Sequence, residues 1–102
     1  MRLNTNTNRQ PSITRFALGQ TYVTPGADEA LMIAGQTGIE FLRRHMSNDW
    51  GDLSDEDMRE NELSLKEGFR LLSAYSTAKG QKLWIITEAD RSATTILLPS
   101  EY

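Results

Sequence analysis

A chain of 102 residues is expected to form one domain, and the absence of cysteine excludes disulfides, thiolate metal sites and thiol nucleophiles. Its net charge of −3, from 11 basic and 14 acidic side chains, argues against general nucleic-acid binding, which relies on basic surfaces. No apolar run approaches the roughly 20 residues of a membrane span, and the N-terminus lacks the apolar core of a signal peptide, so we expect a cytoplasmic protein.

The chain begins with a polar stretch and then changes to an alternating pattern. Residues 1–14 are rich in Asn and Thr, which predicts a mobile tail before a single domain over residues 15–102. A basic arm that touches nucleic acid is the alternative, but Arg2 and Arg9 supply little phosphate neutralisation. From Arg15 to Val23, larger and smaller side chains alternate, which predicts an N-terminal strand.

A first helix is predicted to follow this strand. Thr24 suits an N-cap, and Pro25 suits the first helical position, where a missing N–H costs nothing. A stripe at spacings of three and four predicts that the helix runs to about His45; its members are Leu31, Ala34, Gly35, Gly38, Leu42 and Met46. The two glycines on this stripe predict close backbone packing against the sheet.

A second helix is predicted after the loop over residues 47–52. Ser54 is its expected N-cap, with Asp57 as a capping-box partner, and Gly68 is its expected terminator. The inner face is predicted to carry Met58, Asn61, Leu65 and Phe69.

The C-terminal third predicts a three-stranded antiparallel meander. Apolar runs over residues 71–75, 83–87 and 94–98 are separated by turn-forming residues, and Gly80 is free to take positive φ in the first turn. The predicted fold is therefore α+β: an N-terminal strand, two helices, then the meander, with both helices packed on one sheet face.

Both side-chain parities of this meander are apolar. We place Leu72, Ala74, Leu83 and Ile85 on one face, and Tyr75, Trp84 and Ile86 on the other. A sheet with helices on one face should be polar on the other, so something must cover the second face. Contact between two copies would bury it with simple symmetry, which predicts a homodimer through the face bearing Trp84.

Acidic residues gather between positions 49 and 62. Half of the chain's 14 acids lie there: Asp49, Asp52, Asp55, Glu56, Asp57, Glu60 and Glu62. A hard-cation site is one interpretation, although the spacing does not fit an EF-hand loop. Imitation of a phosphate backbone is another. We favour a helix N-terminus that collects acids for its dipole and predict neither a metal nor a cofactor.

Two further groupings are candidate sites. His45, the only histidine, is followed by Asp49 and Trp50, which suggests a general base oriented by a carboxylate; a structural histidine at a helix C-terminus is the interpretation that we favour. Glu88, Asp90 and Arg91 lie in one tight turn, which suggests either a site for a small charged ligand or a self-bonded turn. We predict no catalytic residue; the candidate binding residues are Trp50, Asp49, Asp52, Trp84, Glu88, Asp90 and Arg91.

Several segments resemble a family of small bacterial proteins encoded on plasmids and other mobile elements. The similar segments are Asp49-Trp50-Gly51, Arg70 to Tyr75, Trp84 to Ser92 and Leu97 to Tyr102. The resemblance implies a mobile-element accessory protein connected with host defence, and carries no activity with it. Some relatives bear the label of a type I restriction modification subunit, but a methyltransferase domain does not fit within this length.

Two classes of function follow. The preferred one is a non-enzymatic accessory protein that binds another protein, in restriction or another defence pathway. The alternative is a small enzyme or ligand binder that uses His45, Asp49, Glu88, Asp90 and Arg91. An enzyme requires a concave pocket where those groups converge, whereas a binding module requires an exposed apolar or acidic patch.

Overall fold

The predicted α+β class is confirmed by the computed structural model, which describes residues 16–102. The predicted mobile tail over residues 1–14 and the first residue of the predicted strand, Arg15, lie outside the described residues. The elements, in chain order, are β1 (Gln20–Val23), α1 (Pro25–Ala34), α2 (Gly38–Met46), α3 (Asp55–Glu67), β2 (Leu71–Ser76), β3 (Lys82–Thr87), β4 (Ala93–Leu97) and a 3-10 turn (Pro99–Glu101).

The four strands form one mixed sheet in the order β1-β4-β3-β2. The last three strands pair antiparallel in chain order, as the meander pattern predicts, and Gly80 has φ 87° in the first turn. β1 is shorter than the predicted strand and lies parallel to β4, with Gln20 opposite Ala93. An alternating pattern indicates a strand but carries no information on its neighbour or direction, so the parallel edge was not predicted.

The single helix predicted from Pro25 to His45 is wrong, because the chain turns after Ala34. Gly35 adopts φ 68°, and the N–H groups of Gly35 and Gln36 return to the carbonyls of Met32 and Leu31. This Schellman arrangement ends α1. Gly35 therefore serves the turn and not close packing, since a Cβ there would meet nothing within 4 Å. At Gly38 a Cβ would lie 3.0 Å from the Ile96 side chain, so the predicted close approach is confirmed at that glycine.

α1 and α2 cover one face of the sheet and form the core with it. Ala27, Leu31 and Phe41 pack on four buried side chains of the strands: Tyr75, Leu83, Ile85 and Ile96. The predicted division of the two faces is wrong, because β2 pairs with β3 in a register that sets Tyr75 opposite Leu83 and Ala74 opposite Trp84. Paired residues share a face, so Tyr75 belongs to the core face, and Leu72 and Ala74 lie with Trp84.

α3 lies at the edge of the sheet beside β2, which corrects the prediction that both helices share one face. Its N-cap and terminator are as predicted: Ser54 accepts a hydrogen bond from the N–H of Asp57 at 3.1 Å, and Gly68 ends the helix with φ 80°. The reciprocal bond from the Ser54 N–H to the Asp57 side chain is not formed, so the predicted capping box is only half present. On its inner side the amide of Asn61 bonds the backbone of Leu72 twice, at 3.1 Å to the N–H and 2.6 Å to the carbonyl. The predicted inner residue Phe69 is 56% exposed, because the chain has left the helix by that point.

Candidate functional site

His45 lies at the centre of a buried hydrogen-bond chain between α2 and the sheet. Its Nδ1 is 2.6 Å from the hydroxyl of Ser73, and its Nε2 is 2.9 Å from the hydroxyl of Thr87. Thr87 is 2.8 Å from the hydroxyl of Thr94, which donates to the carbonyl of Leu18 at 2.8 Å. All four side chains are fully buried: His45, Ser73, Thr87 and Thr94. Each of these hydrogen bonds therefore takes the place of one that the same group would make to water in the unfolded chain.

The carbonyl of Leu18 is the last acceptor in this hydrogen-bond chain, and it determines where every proton of the hydrogen-bond chain lies. A backbone carbonyl only accepts, so the hydroxyl of Thr94 donates its proton to the carbonyl of Leu18. Thr94 therefore accepts from Thr87, and Thr87 in turn accepts from His45 Nε2–H. Nδ1 is then the unprotonated nitrogen and accepts from Ser73. The arrangement is complete with a neutral imidazole in the Nε2–H tautomer.

The surroundings of His45 disfavour its charged form. Burial lowers its pKa from 6.5 to about 4, and the positive charge of Arg91 acts in the same direction. The rings of Phe16 and Trp50 lie edge-on to the imidazole, with centroids at 5.2 and 5.7 Å. An imidazole that is closed off in this way has no position for a substrate, which favours the structural interpretation of His45 over a general base.

Asp49 does not orient His45, because it binds elsewhere. Its carboxylate accepts from Arg44 Nε at 2.6 Å and from the N–H of Gly51 at 3.2 Å. The hydrogen bond from Arg44 holds the pKa of Asp49 below its ordinary value. Its backbone carbonyl accepts from the hydroxyl of the buried Tyr75 at 2.6 Å. Asp49 thus fastens the end of α2 and the following loop to the sheet.

The Glu88-Asp90-Arg91 turn bonds to its own backbone and to the end of α3. Arg91, at φ 62°, donates to backbone carbonyls of four residues: Ser64, Phe69, Glu88 and Ala89. The carboxylate of Asp90 accepts from the N–H of Ser92 at 3.0 Å, and hydrogen bonds from Ser92 lower its pKa. The donors of Arg91 are therefore engaged within the chain, which favours the self-bonded turn over a ligand site.

The remaining candidate residues lie in different places. Trp50 is 4% exposed and packs against His45, whereas Asp52 is exposed and lies 3.8 Å from Lys82. Trp84 lies on the opposite sheet face, half-buried, with its ring 5.7 Å from that of Tyr102. Of the candidate binding residues, all of which lie within residues 16–102, only Trp50 packs its ring against that of His45.

The contacts of His45 and of the start of α1 use residues that no local sequence pattern indicates as site residues. Ser73 and Thr87 bond His45, and Thr94 bonds Thr87. Their one sequence signal is a small hydroxyl at inward positions between apolar residues of the strands. Glu101 caps α1 from 75 residues away, by accepting from the N–H of Gly26, and no local pattern indicates such a contact.

Large apolar side chains are exposed on either side of the turn between α1 and α2. Met32, Ile33 and Ile39, which we name the corner patch, are 71%, 63% and 58% exposed. The turn is held in place, because Gln36 accepts from the N–H of Ala78 at 2.8 Å and so ties the corner to the β2–β3 hairpin. A shallow depression lies beside it, lined by Ala30, Ile33, Lys79, Gly80 and Gln81.

Residues 16–102 show neither a metal-binding cluster nor a membrane-spanning helix. No cluster of three or more histidine, aspartate or glutamate side chains in this range is arranged to hold a metal ion. None of the helices in the same range is long and apolar enough to cross a membrane. In comparisons with known proteins, the chain matches no family model, no curated protein and no solved structure.

Proposed function

We propose that this chain is a non-enzymatic module that binds another protein through the corner patch. The observation that carries the proposal is the exposure of Met32, Ile33 and Ile39 around a turn that is itself fixed by Gln36. Exposed apolar side chains on a fixed backbone are typical of protein-binding surfaces, because little conformational entropy is lost when they are buried in a complex.

The distribution of polar groups supports binding over catalysis. The groups that an enzyme would use are separated: His45 is enclosed in the core, Asp49 is paired with Arg44, and Arg91 is bonded to carbonyls. A catalytic site needs an acid, a base or a nucleophile beside a position for the substrate. Connection with mobile elements and host defence belongs to the same proposal and rests on the resemblance of the sequence alone.

The proposal is tested by capture from a bacterial lysate with matched variants. The full chain, Ile33→Glu in the corner patch and Leu63→Glu on α3 would be immobilised and the bound proteins identified by mass spectrometry. Leu63 is a suitable control because it is apolar and 52% exposed but lies on another element. We expect a protein that the original chain and Leu63→Glu retain and Ile33→Glu loses. Equal capture by all three would overturn the proposal.

The homodimer through the Trp84 face stays a prediction. Ile86 and Leu97 on that face are each 6% exposed, and Tyr102 lies against Trp84, so the chain supplies part of the cover that a second copy was expected to provide. Tyr102 is itself 66% exposed and so offers surface to a partner on that face.

A further inference from the structure

The two edges of the sheet differ in what covers their outward backbone groups. On β2, the side-chain amide of Asn61 bonds the N–H of Leu72 at 3.1 Å and its carbonyl at 2.6 Å. The N–H of Ala74 donates to the carbonyl of Trp50 at 3.1 Å, and the carbonyl of Ala74 accepts from the N–H of Asp52 at 2.7 Å. The protein thus covers the β2 edge with its own chain, which prevents another strand from pairing there.

β1 forms the other edge of the sheet, and its outward backbone groups are those of Thr21 and Val23. The N–H groups of Gln20 and Thr24 both donate to backbone carbonyls on the β4 side. Since the backbone groups of successive residues point to opposite sides of a strand, those of Thr21 and Val23 point away from β4. No hydrogen bond from any of residues 16–102 reaches these outward groups.

The β1 edge also lacks the side chains that protect an exposed strand. All four residues of β1 are exposed, including Tyr22 at 54% and Val23 at 44%. No charged side chain occurs from residue 16 to residue 27, although 25% of the whole chain is charged. Charged side chains and prolines within a strand are common protection against pairing between edges. This edge therefore offers both unpaired backbone groups and apolar surface to a partner strand.

The length over which this edge can pair is limited on both sides of Tyr22. Gly19, three residues before Tyr22, has φ 67° and so leaves the extended conformation. Pro25, three residues after Tyr22, has no N–H and begins α1. The outward groups between these two limits are the N–H and carbonyl of Thr21 and of Val23. They lie symmetrically about Tyr22, so the edge is complementary to a second copy of itself that runs in the opposite direction.

We propose that β1 pairs antiparallel with β1 of a second copy, about a two-fold axis at Tyr22. Thr21 of each copy then lies opposite Val23 of the other and exchanges two backbone hydrogen bonds with it, so every outward N–H and carbonyl of both strands is used. Tyr22 meets its own counterpart on the sheet face that bears Trp84, while Thr21 and Val23 pair on the other face. The pairing joins the two four-stranded sheets into one and leaves the corner patch free.

Single cysteines test the register, because the chain has no cysteine of its own. Tyr22→Cys sets the two Cα atoms about 4.5 Å apart in a pair without hydrogen bonds. A disulfide spans about 4.4–6.8 Å between Cα atoms, so we expect oxidised glutathione to link the Tyr22→Cys copies at least about tenfold faster than those of Gln20→Cys. Gln20 is also exposed and lies on the same face. It falls opposite Thr24 of the second copy, which leaves the two Gln20 residues about 13 Å apart.

Equal rates of cross-linking for the two cysteine variants, or no linked dimer from either, would overturn the proposal. The linked Tyr22→Cys dimer should form at a rate that rises with protein concentration.

Sedimentation equilibrium of the chain without added cysteine gives an independent test. We expect a mass approaching two chains at several hundred micromolar. Tyr22→Lys sets two like charges directly opposite each other and should restore the single-chain mass, whereas Gln20→Lys should keep the dimer. Trp84→Ala should also keep it, because Trp84 lies on β3 and away from this edge. A single-chain mass for the original chain, or a dimer that Tyr22→Lys retains and Trp84→Ala removes, would overturn the proposal.

Discussion

The carboxylate of Glu101 accepts a hydrogen bond from the hydroxyl of Thr24, which lies 77 residues earlier and caps the first helix. The same carboxylate accepts from the N–H of Gly26 at 3.0 Å and from the N–H of Leu98 at 2.8 Å. The N–H of Gly26 in the first turn of α1 and the N–H of Leu98 before the 3-10 turn are thereby both given an acceptor. The last turn of the chain thus fixes the start of α1.

Thr24→Ala is expected to lower the free energy of unfolding by about 1 kcal/mol, because it removes both the cap on the Ala27 N–H and the partner of Glu101. Urea melts followed by circular dichroism measure the change. Thr24→Ser is the matched control, since it keeps the hydroxyl. Identical midpoints for Thr24→Ala and the original chain would show that the cap contributes nothing.

Glu101→Gln should lower the melting temperature at neutral pH but not in strong acid. Hydrogen bonds, first that from Thr24, lower the pKa of Glu101 from 4.5 in the folded state. The folded state therefore favours the ionised form, and this stabilisation is present above pH 4.5 and is lost as the pH falls through the folded pKa. Calorimetry at neutral pH and in strong acid measures the melting temperatures of the two proteins. A difference between the two proteins that persists in strong acid would contradict it.

The stability of the protein is expected to fall between about pH 6.5 and pH 4 because of His45. Its pKa is lowered from 6.5 to about 4 by burial, so only the unfolded state takes up the proton in this window. The contribution of the neutral His45 to the free energy of unfolding is fully present above pH 6.5. It declines as the pH falls towards 4, by on the order of 3 kcal/mol in total. Urea midpoints across this range measure it.

His45→Gln provides the control for that pH series. Since His45 is the only histidine, the slope between pH 6.5 and pH 5 should be nearly absent from the variant. The same slope in both proteins would assign the pH dependence to other groups.

Replacing Glu56 and Glu60 by Gln should change the free energy of unfolding by about 0.5 kcal/mol or less, because both side chains are exposed on α3. Calcium should leave the thermal melt of the original chain unchanged. A calcium-dependent rise in melting temperature would restore the hard-cation interpretation of the acidic segment.

The homodimer prediction is tested by light scattering after size exclusion. A mass of two chains that Trp84→Ala reduces to one would support association through that face. A single-chain mass at tens of micromolar would contradict the homodimer, and the cover of Trp84 would then come from Tyr102 of the same chain.

The elements that could be predicted from the sequence are those with local causes. Thr24, Ser54 and Gly68 cap helices where their chemistry requires, and the meander follows from apolar runs between turn residues. The turn at Gly35 was missed because the apolar spacing continues through it, and a left-handed glycine has the same letter as a helical one.

The contacts around His45 could not be predicted, because their causes are distant in the sequence. Ser73 and Thr87 lie 28 and 42 residues away from His45, and only the register of β2 and β3 places them together. The parallel pairing of β1 with β4 is non-local in the same sense. The alternation within one strand predicts which of its residues share a face, but not which face is inward or which residues of other strands they meet.

The titration of His45 by NMR tests most directly whether the polar centre of this protein is structural and not catalytic. We predict a neutral imidazole in the Nε2–H tautomer that takes up no second proton until the pH approaches 4. A pKa of His45 near 6.5 would contradict this prediction and return His45 to the position of a general base. A proton on Nδ1 would contradict the order of donors and acceptors in the hydrogen-bond chain.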